Sequence, residues 1–279
     1  MTIGVAVKVH AGEVLAADSA TTLETQDGAI TKVYYHANKI FDLYEGLPVG
    51  GMTWGLGNLG PYAIATMARD LRRRLMGTAA DKSLKIDPDK YSIEEIASRV
   101  RTFFYEQAYL AYYPAAAANR PELGLLVAGY SSDSDLPEEW LVEVDAEGNC
   151  AAPAPLRTPT DGFGYEVFGQ PAAVRRLMDG YDERLGDLLI ALGLEASQLD
   201  SVLEFIRDQL KVDPVMPQMP MQDAIELAVY LAGTTAQWHR FLPGAPAPTV
   251  GGLIQVAWIT KHDGFNWERR GEPHEEPDK

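Results

Sequence analysis

Apolar and other residues alternate at the start of the chain. Ile3, Val5, Val7 and Val9 fall on one side of an extended segment and Gly4, Ala6 and Lys8 on the other, the period-two pattern of a strand. His10-Ala11-Gly12 reads as a turn and residues 13–18 (EVLAAD) as the returning strand, so a hairpin is expected from residue 2 onward. After a polar stretch from Thr21 to Thr31, with a turn at Asp27-Gly28, Lys39 to Leu43 and Val49 to Trp54 read as two more strands. Asn58 is placed to cap a helix running to about Met76, with Pro61 in its first turn and Arg72-Arg73-Arg74 in its last, where the helix dipole favours cations. Ser92-Ile93-Glu94-Glu95 has the form of a capping box. The helix it opens carries Ile96, Val100, Phe103, Phe104 and Ala108 at helical spacing and is expected to end near Pro114.

Strands are then expected at Leu123 to Tyr130 and Trp140 to Asp145, the latter closed by a turn at Glu147-Gly148-Asn149. Pro153 to Thr160 reads as a proline-rich connection, Tyr165 to Gly169 as a short strand and Pro171 to Asp179 as the start of a third helix. Residues 182–213 are leucine-rich and helical in pattern, Pro214 to Met221 interrupts them, and another helix spans Gln222 to about Phe241. Thr249 to Thr260 and Phe265-Asn266-Trp267 form a closing hairpin, and residues 268–279 are expected to be a disordered polar tail. Strands and helices come in blocks, not in strict alternation. That argues for an α+β fold of antiparallel sheets covered by helix layers, not a doubly wound parallel sheet. Residues 1–267 read as one domain with a helical acidic insertion at about 182–221, and no internal repeat is found.

Composition narrows the chemistry. The chain has 279 residues, 24 basic against 40 acidic side chains and a formal charge of −16. Such acidity disfavours nucleic acid as a partner, because phosphates are repelled. The insertion contributes eight acidic and three basic residues between 182 and 213, a net −5. The single cysteine, Cys150, excludes a disulfide framework and thiolate zinc sites. No apolar run is long enough for a membrane span. The opening MTIGVAVKVHAGE lacks the basic and apolar regions of a signal peptide, so a cytoplasmic setting is expected. The histidines at 10, 36, 239, 262 and 274 have no metal-ligand spacing, and neither metal nor cofactor is expected.

Two constellations remain. Gly55-Leu56-Gly57-Asn58-Leu59-Gly60 is a literal G-x-G-x-x-G. A dinucleotide site would need a second parallel strand soon after the helix, ending in an acid, and none follows. The glycines instead suit a tight turn out of a strand, where exposed N–H groups can form an oxyanion hole. The second constellation is the amino terminus. A small second residue permits removal of Met1, leaving Thr2 with a free α-amine. Its reference pKa of about 7.7–8.0 leaves a fraction neutral and basic, and threonine paired with its own amine is an activated nucleophile. The hairpin returns Asp18 beside Thr2, and Lys39, opening the next strand, is a candidate partner for that carboxylate. The same two residues also fit an ordinary structural ion pair.

The stretch from Thr2 to Ser19 resembles the start of proteasome β subunits, of the bacterial protease HslV and of the bacterial proteasome-like Anbu proteins. It has a Thr, a hydrophobic hairpin and then Ala17-Asp18-Ser19, with the Asp sixteen residues after the Thr. Lys39 in Asn38-Lys39-Ile40 is similar to the family's lysine, and Thr53-Trp54-Gly55 to its turn with the oxyanion glycine. Val127-Ala128-Gly129-Tyr130 with Trp140 to Asp145, and Thr249-Val250-Gly251-Gly252 with Ile254 to Ala257, resemble its later strands. Two departures stand out. Phe168-Gly169-Gln170-Pro171 lacks the serine found there in many members, and Pro246 and Thr249 stand near the places of an aspartate and a serine.

The resemblance implies a four-layer αββα sandwich and a threonine-type peptidase. Thr2 would be the nucleophile, Asp18 and Lys39 would tune it, and Gly55 would donate to the oxyanion. It also implies a peptide or unfolded-protein substrate and self-association into a ring or helical oligomer. The chain has no P-loop, so any ATP-dependent unfoldase would be another protein. A small-molecule amidase of the same class and a non-catalytic assembly or scaffold protein are the alternatives.

Overall fold

The computed structural model describes residues 2–24, 30–117, 120–160, 162–242 and 250–270. The opening hairpin is β1 (Ile3–Val9) and β2 (Gly12–Asp18). A smaller hairpin of β3 (Thr21–Glu24) and β4 (Ile30–Tyr34) follows. The expected turn at Asp27-Gly28 lies outside the described residues. Next come β5 (Ile40–Asp42), β6 (Val49–Gly55) and a two-residue hairpin of β7 (Asn58–Leu59) and β8 (Tyr62–Ala63). Helix α1 (Ile64–Leu75) starts five residues later than the Asn58 cap implied. The Asn58 side chain donates to Gly60 O (2.9 Å) inside the β-turn and caps nothing.

Helix α2 (Ile93–Arg101) begins as expected, with the Ser92 hydroxyl accepting from Glu95 N at 3.0 Å. It continues as a wider π-type helix over Thr102–Tyr109 and a last turn, α3 (Leu110–Tyr112). Strands β9 (Leu123–Gly129), β10 (Glu138–Val144), β11 (Ala154–Arg157) and β12 (Gly164–Gly169) follow. β11 lies within the expected proline-rich connection; it is an edge strand, where a missing N–H is tolerated. Helices α4 (Ala172–Met178), α5 (Leu185–Ala191), α6 (Leu199–Leu210) and α7 (Met221–Phe241) precede β13 (Ile254–Thr260) and β14 (Gly264–Arg269). The closing strand starts later than expected, because Gly252 adopts a positive φ of 79° that turns the chain. Residues 268 and 269 of the expected tail belong to β14, and 271–279 lie outside the described residues.

Two five-stranded antiparallel sheets result, ordered β12-β1-β2-β13-β14 and β11-β10-β9-β6-β5. Strand alternation decides what each face meets. Ala6, Leu15, Ala17, Ala257 and Ile259 of the first sheet pack on Ile40, Met52, Leu126 and Ala128 of the second. The opposite face of the first sheet, with Ile3, Val5, Val7, Val14 and Ala16, packs on Ala224, Ile225, Ala228, Leu231 and Ala232 of α7. The second sheet packs Val49, Leu123, Leu125 and Val127 on Ile64 and Leu71 of α1 and Ile96 and Val100 of α2. Each fully buried aliphatic side chain contributes about 1.5–3 kcal/mol. In α6 no residue is fully buried, and Phe205 is 65% exposed. The acidic stretch 182–213 thus adds little to the core.

Candidate active site

The hairpin register pairs Gly4 with Ala17 and, one step on, sets Ile3 opposite Asp18. The Asp18 carboxylate is fully buried, which is costly unless its oxygens are satisfied. They are. Oδ1 accepts from Ile3 N (3.1 Å) and from Lys39 Nζ (2.6 Å); Oδ2 accepts from Ala20 N (3.2 Å) and Gly251 N (2.9 Å). The peptide N–H that reaches Oδ1 belongs to the residue after Thr2, so the carboxylate fixes the start of β1. Lys39 is itself buried. Burial pushes its ammonium below the ordinary lysine range, and the Asp18 charge pulls the other way.

Lys39 is also held through its backbone. Its N–H donates to Gln255 Oε1 (3.0 Å), and its carbonyl accepts from Thr53 N (2.9 Å), two residues before Gly55. Gln255 Nε2 donates in turn to Asn38 Oδ1 (2.8 Å). Gln255 was not singled out from sequence. Its signal was there: it shares a strand face with Ala257 and Ile259, and a wholly buried amide on an apolar face requires partners.

Thr2 is buried beside β12. Gly169 has φ +80°, and a Cβ there would lie 2.1 Å from Thr2 O, so only glycine permits the approach. Thr2 and Gly55 line one cleft of about 500 Å³ with Trp54, Gly124, Gly169 and Gln170. Gly55 also has a positive φ (84°), and a Cβ would meet Glu122 O at 2.5 Å. Trp54 stacks on Phe168 at 4.3 Å and covers Gly124. Glu122, Glu143 and Asp145 complete the lining. Burial, and then the nearby Glu122 charge, raise the Glu143 carboxyl above its ordinary range. A larger cleft, about 600 Å³, lies against β12, α4 and α6 and holds none of the four candidate residues.

All four sequence candidates are therefore in one region: Asp18 and Lys39 as a buried ion pair, Thr2 and Gly55 on a shared cleft. Gln170 faces that cleft from the turn lacking the family's serine. Pro246 and Thr249 lie outside the described residues. The G-x-G-x-x-G run leads through the β7–β8 hairpin, not straight into a helix. Among the described residues, no group of three or more His, Cys, Asp or Glu side chains is arranged to hold a metal ion, and no helix is long and apolar enough to cross a membrane.

No protein-family model and no curated protein sequence matches the chain. Solved structures do. The Anbu complex of Pseudomonas aeruginosa, described as a helical assembly, superposes with a TM-score of 0.53 at 15% identity, covering 95% of this chain and 84% of that one. Anbu, the ancestral β-subunit, from Yersinia bercovieri gives 0.47 at 15% identity, covering 96% and 88%. The antiparallel sheets, their helices and the first superposition agree with the resemblance read from the opening hairpin: the chain has the fold of Anbu-type, proteasome-like proteins.

Proposed function

We propose that the protein is an N-terminal threonine hydrolase that cleaves peptide bonds, built as a four-layer αββα sandwich with the 182–221 stretch inserted. One observation carries the reading. Thr2 and Gly55 line the same cleft, and the carboxylate that anchors the residue after Thr2 also holds Lys39. Removal of Met1 frees the Thr2 amine. Thr2 Oγ attacks the scissile carbonyl, its proton passing through water to the amine. The Gly55 N–H donates to the oxyanion. The tetrahedral adduct collapses to an acyl ester on Thr2 as the leaving amine takes that proton, and water hydrolyses the ester. The charge of Lys39, held by Asp18, favours the ionised hydroxyl and the neutral amine. Self-association belongs to this reading, since the Pseudomonas protein of like fold forms a helical assembly.

Intact mass of the purified protein should show Met1 removed. Fluorogenic peptides should be hydrolysed, and a peptide β-lactone should add to Thr2. Thr2→Ala should abolish both. Hydrolysis surviving Thr2→Ala, or a soluble protein that keeps Met1, would sink the assignment. Turnover confined to small amides would favour the amidase alternative.

A further inference from the structure

Helix α7 carries a buried side chain that the mechanism above leaves unused. Thr235 is wholly buried, yet its hydroxyl has no hydrogen-bond partner among the described residues. A buried, unpaired hydroxyl costs about 1–3 kcal/mol, so its place in the fold matters. The start of α7 lies at the closed end of the opening hairpin. His10 N donates to Pro217 O at 2.8 Å, and a Cβ on Gly12 would meet the Met221 side chain at 2.5 Å. From there α7 runs back along β1 and β2, burying Ala224, Ile225, Ala228, Leu231, Ala232 and then Thr235. At about 1.5 Å per helical residue Thr235 is about 21 Å from Met221, and at about 3.3 Å per strand residue Asp18 is about 20 Å from Gly12. Thr235 therefore stands level with Ile3 and Asp18, at the open end where Thr2 begins.

One turn further, His239 continues the same stripe and is half-buried. Burial lowers its imidazole below the ordinary histidine range, and the Asp18 charge raises it. It thus lies in the field of Asp18. Arg176 on α4 sits over the Trp238 ring at 5.1 Å, so α4 meets this end of the helix.

We propose that Thr235 and His239 are positioning residues for the α-amine of Thr2, the hydroxyl and the imidazole accepting its hydrogen bonds and keeping it turned toward its own Oγ. This rests on the threonine-hydrolase reading. Removal of Met1 turns a peptide N–H into an amine with added donors at the end of β1, and an unpaired acceptor at that level meets the need. The other titratable groups around Thr2 are Asp18 and Lys39 at the ion pair, and Glu122, Glu143 and Asp145 in the cleft.

The test uses the full chain with Met1 removed, checked by intact mass, and follows β-lactone labelling of Thr2 across pH. Thr235→Val keeps the side chain's shape in a buried site and should stay folded, while labelling slows about 10-fold or more; Thr235→Ser should recover wild-type labelling. His239→Gln should slow labelling similarly and shift the acidic limb of the pH profile, which a purely structural role would not move. Folded Thr235→Val and His239→Gln proteins that label at the wild-type rate with the wild-type profile overturn the proposal. If Thr235→Val does not fold, His239→Gln, at a half-buried site, decides alone. A wild-type protein that keeps Met1 or resists the β-lactone overturns the hydrolase reading itself, a distinguishable result.

Discussion

The two ends of the opening hairpin both bury charge, and they do it differently. At the open end Asp18 accepts four hydrogen bonds, three from peptide N–H groups and one from Lys39. At the turn end Lys8 and Glu13 face Glu139 and Arg157 across the sheets, all four buried. There Arg157 donates to Glu139 Oε2 at 2.5 Å, and Lys8 Nζ donates to Thr158 O and lies over the Phe163 ring. Neither oxygen of Glu13, nor Oε1 of Glu139, meets an N–H or O–H donor among the described residues. Two carboxyl groups so placed favour the state in which one of them holds a proton. Accordingly burial, and next the Glu139 charge, push Glu13 well above the ordinary carboxyl range. The open end fixes a charge beside a cleft by saturating it with peptide donors; the turn end accommodates an acid by raising its affinity for a proton. Only the first arrangement presents a steady field to a reacting group.

The largest contrast should come from breaking each ion pair. Lys39→Ala leaves Asp18 without its cation beside Thr2. We expect β-lactone labelling to fall by about 100-fold or more and stability to drop by about 3–5 kcal/mol, measured by urea unfolding. Arg157→Met strips Glu139 of its partner at the other end and should also cost about 3–5 kcal/mol. Labelling of the folded fraction should be unchanged. A labelling defect in Arg157→Met as deep as that in Lys39→Ala would erase the distinction between the two ends.

Gly55→Ala probes the open end from the cleft side. The added methyl requires φ +84° and meets Glu122 O. Strain of this kind costs about 1–3 kcal/mol, and a shifted N–H should slow labelling about 10- to 100-fold. A melting temperature and a labelling rate both matching wild type would remove Gly55 from the site.

The open end was legible in the sequence because its parts are local. Period-two alternation fixed the hairpin, and hairpin register alone sets Asp18 next to the start of β1. Lys39 followed because it opens the next strand. What could not be read depends on long-range closure. Gln255 reaches Lys39 across 216 residues, and Gly169 meets Thr2 only because β12 pairs with β1. Thr235 carries no signal in the helical pattern, and only the path of α7 along the hairpin sets its level. The start of α1 departs from the pattern for a local reason: Asn58 has the composition of a cap, but its amide serves a β-turn, and Ala63, without a capping side chain, precedes the helix. The wide turn at Thr102–Tyr109 had no signature beyond adjacent Phe103 and Phe104, both buried in the same core and edge-on at 5.2 Å.

The smallest expected effect is also the most selective, because it changes one proton at the turn end and nothing at the other. Glu13 binds its proton more tightly in the folded chain than in the unfolded one, where the ordinary value of 4.5 applies. Its contribution to stability is therefore complete below that value and is lost as pH rises from 4.5 through the higher folded value, since the folded state holds the extra proton. Glu13→Gln keeps the shape and supplies a permanent N–H donor toward Glu139 Oε1. The variant should lose the part of the pH dependence that Glu13 imposes, so its urea midpoint should fall less than that of wild type as pH rises from 5 to 9. The gain at the alkaline end should be about 0.5–1.5 kcal/mol, the net scale of one hydrogen bond. Labelling at Thr2 should keep its rate and pH profile throughout. Parallel stability curves for the two proteins would mean that Glu13 carries no extra proton, and that the turn end balances its charges as the open end does.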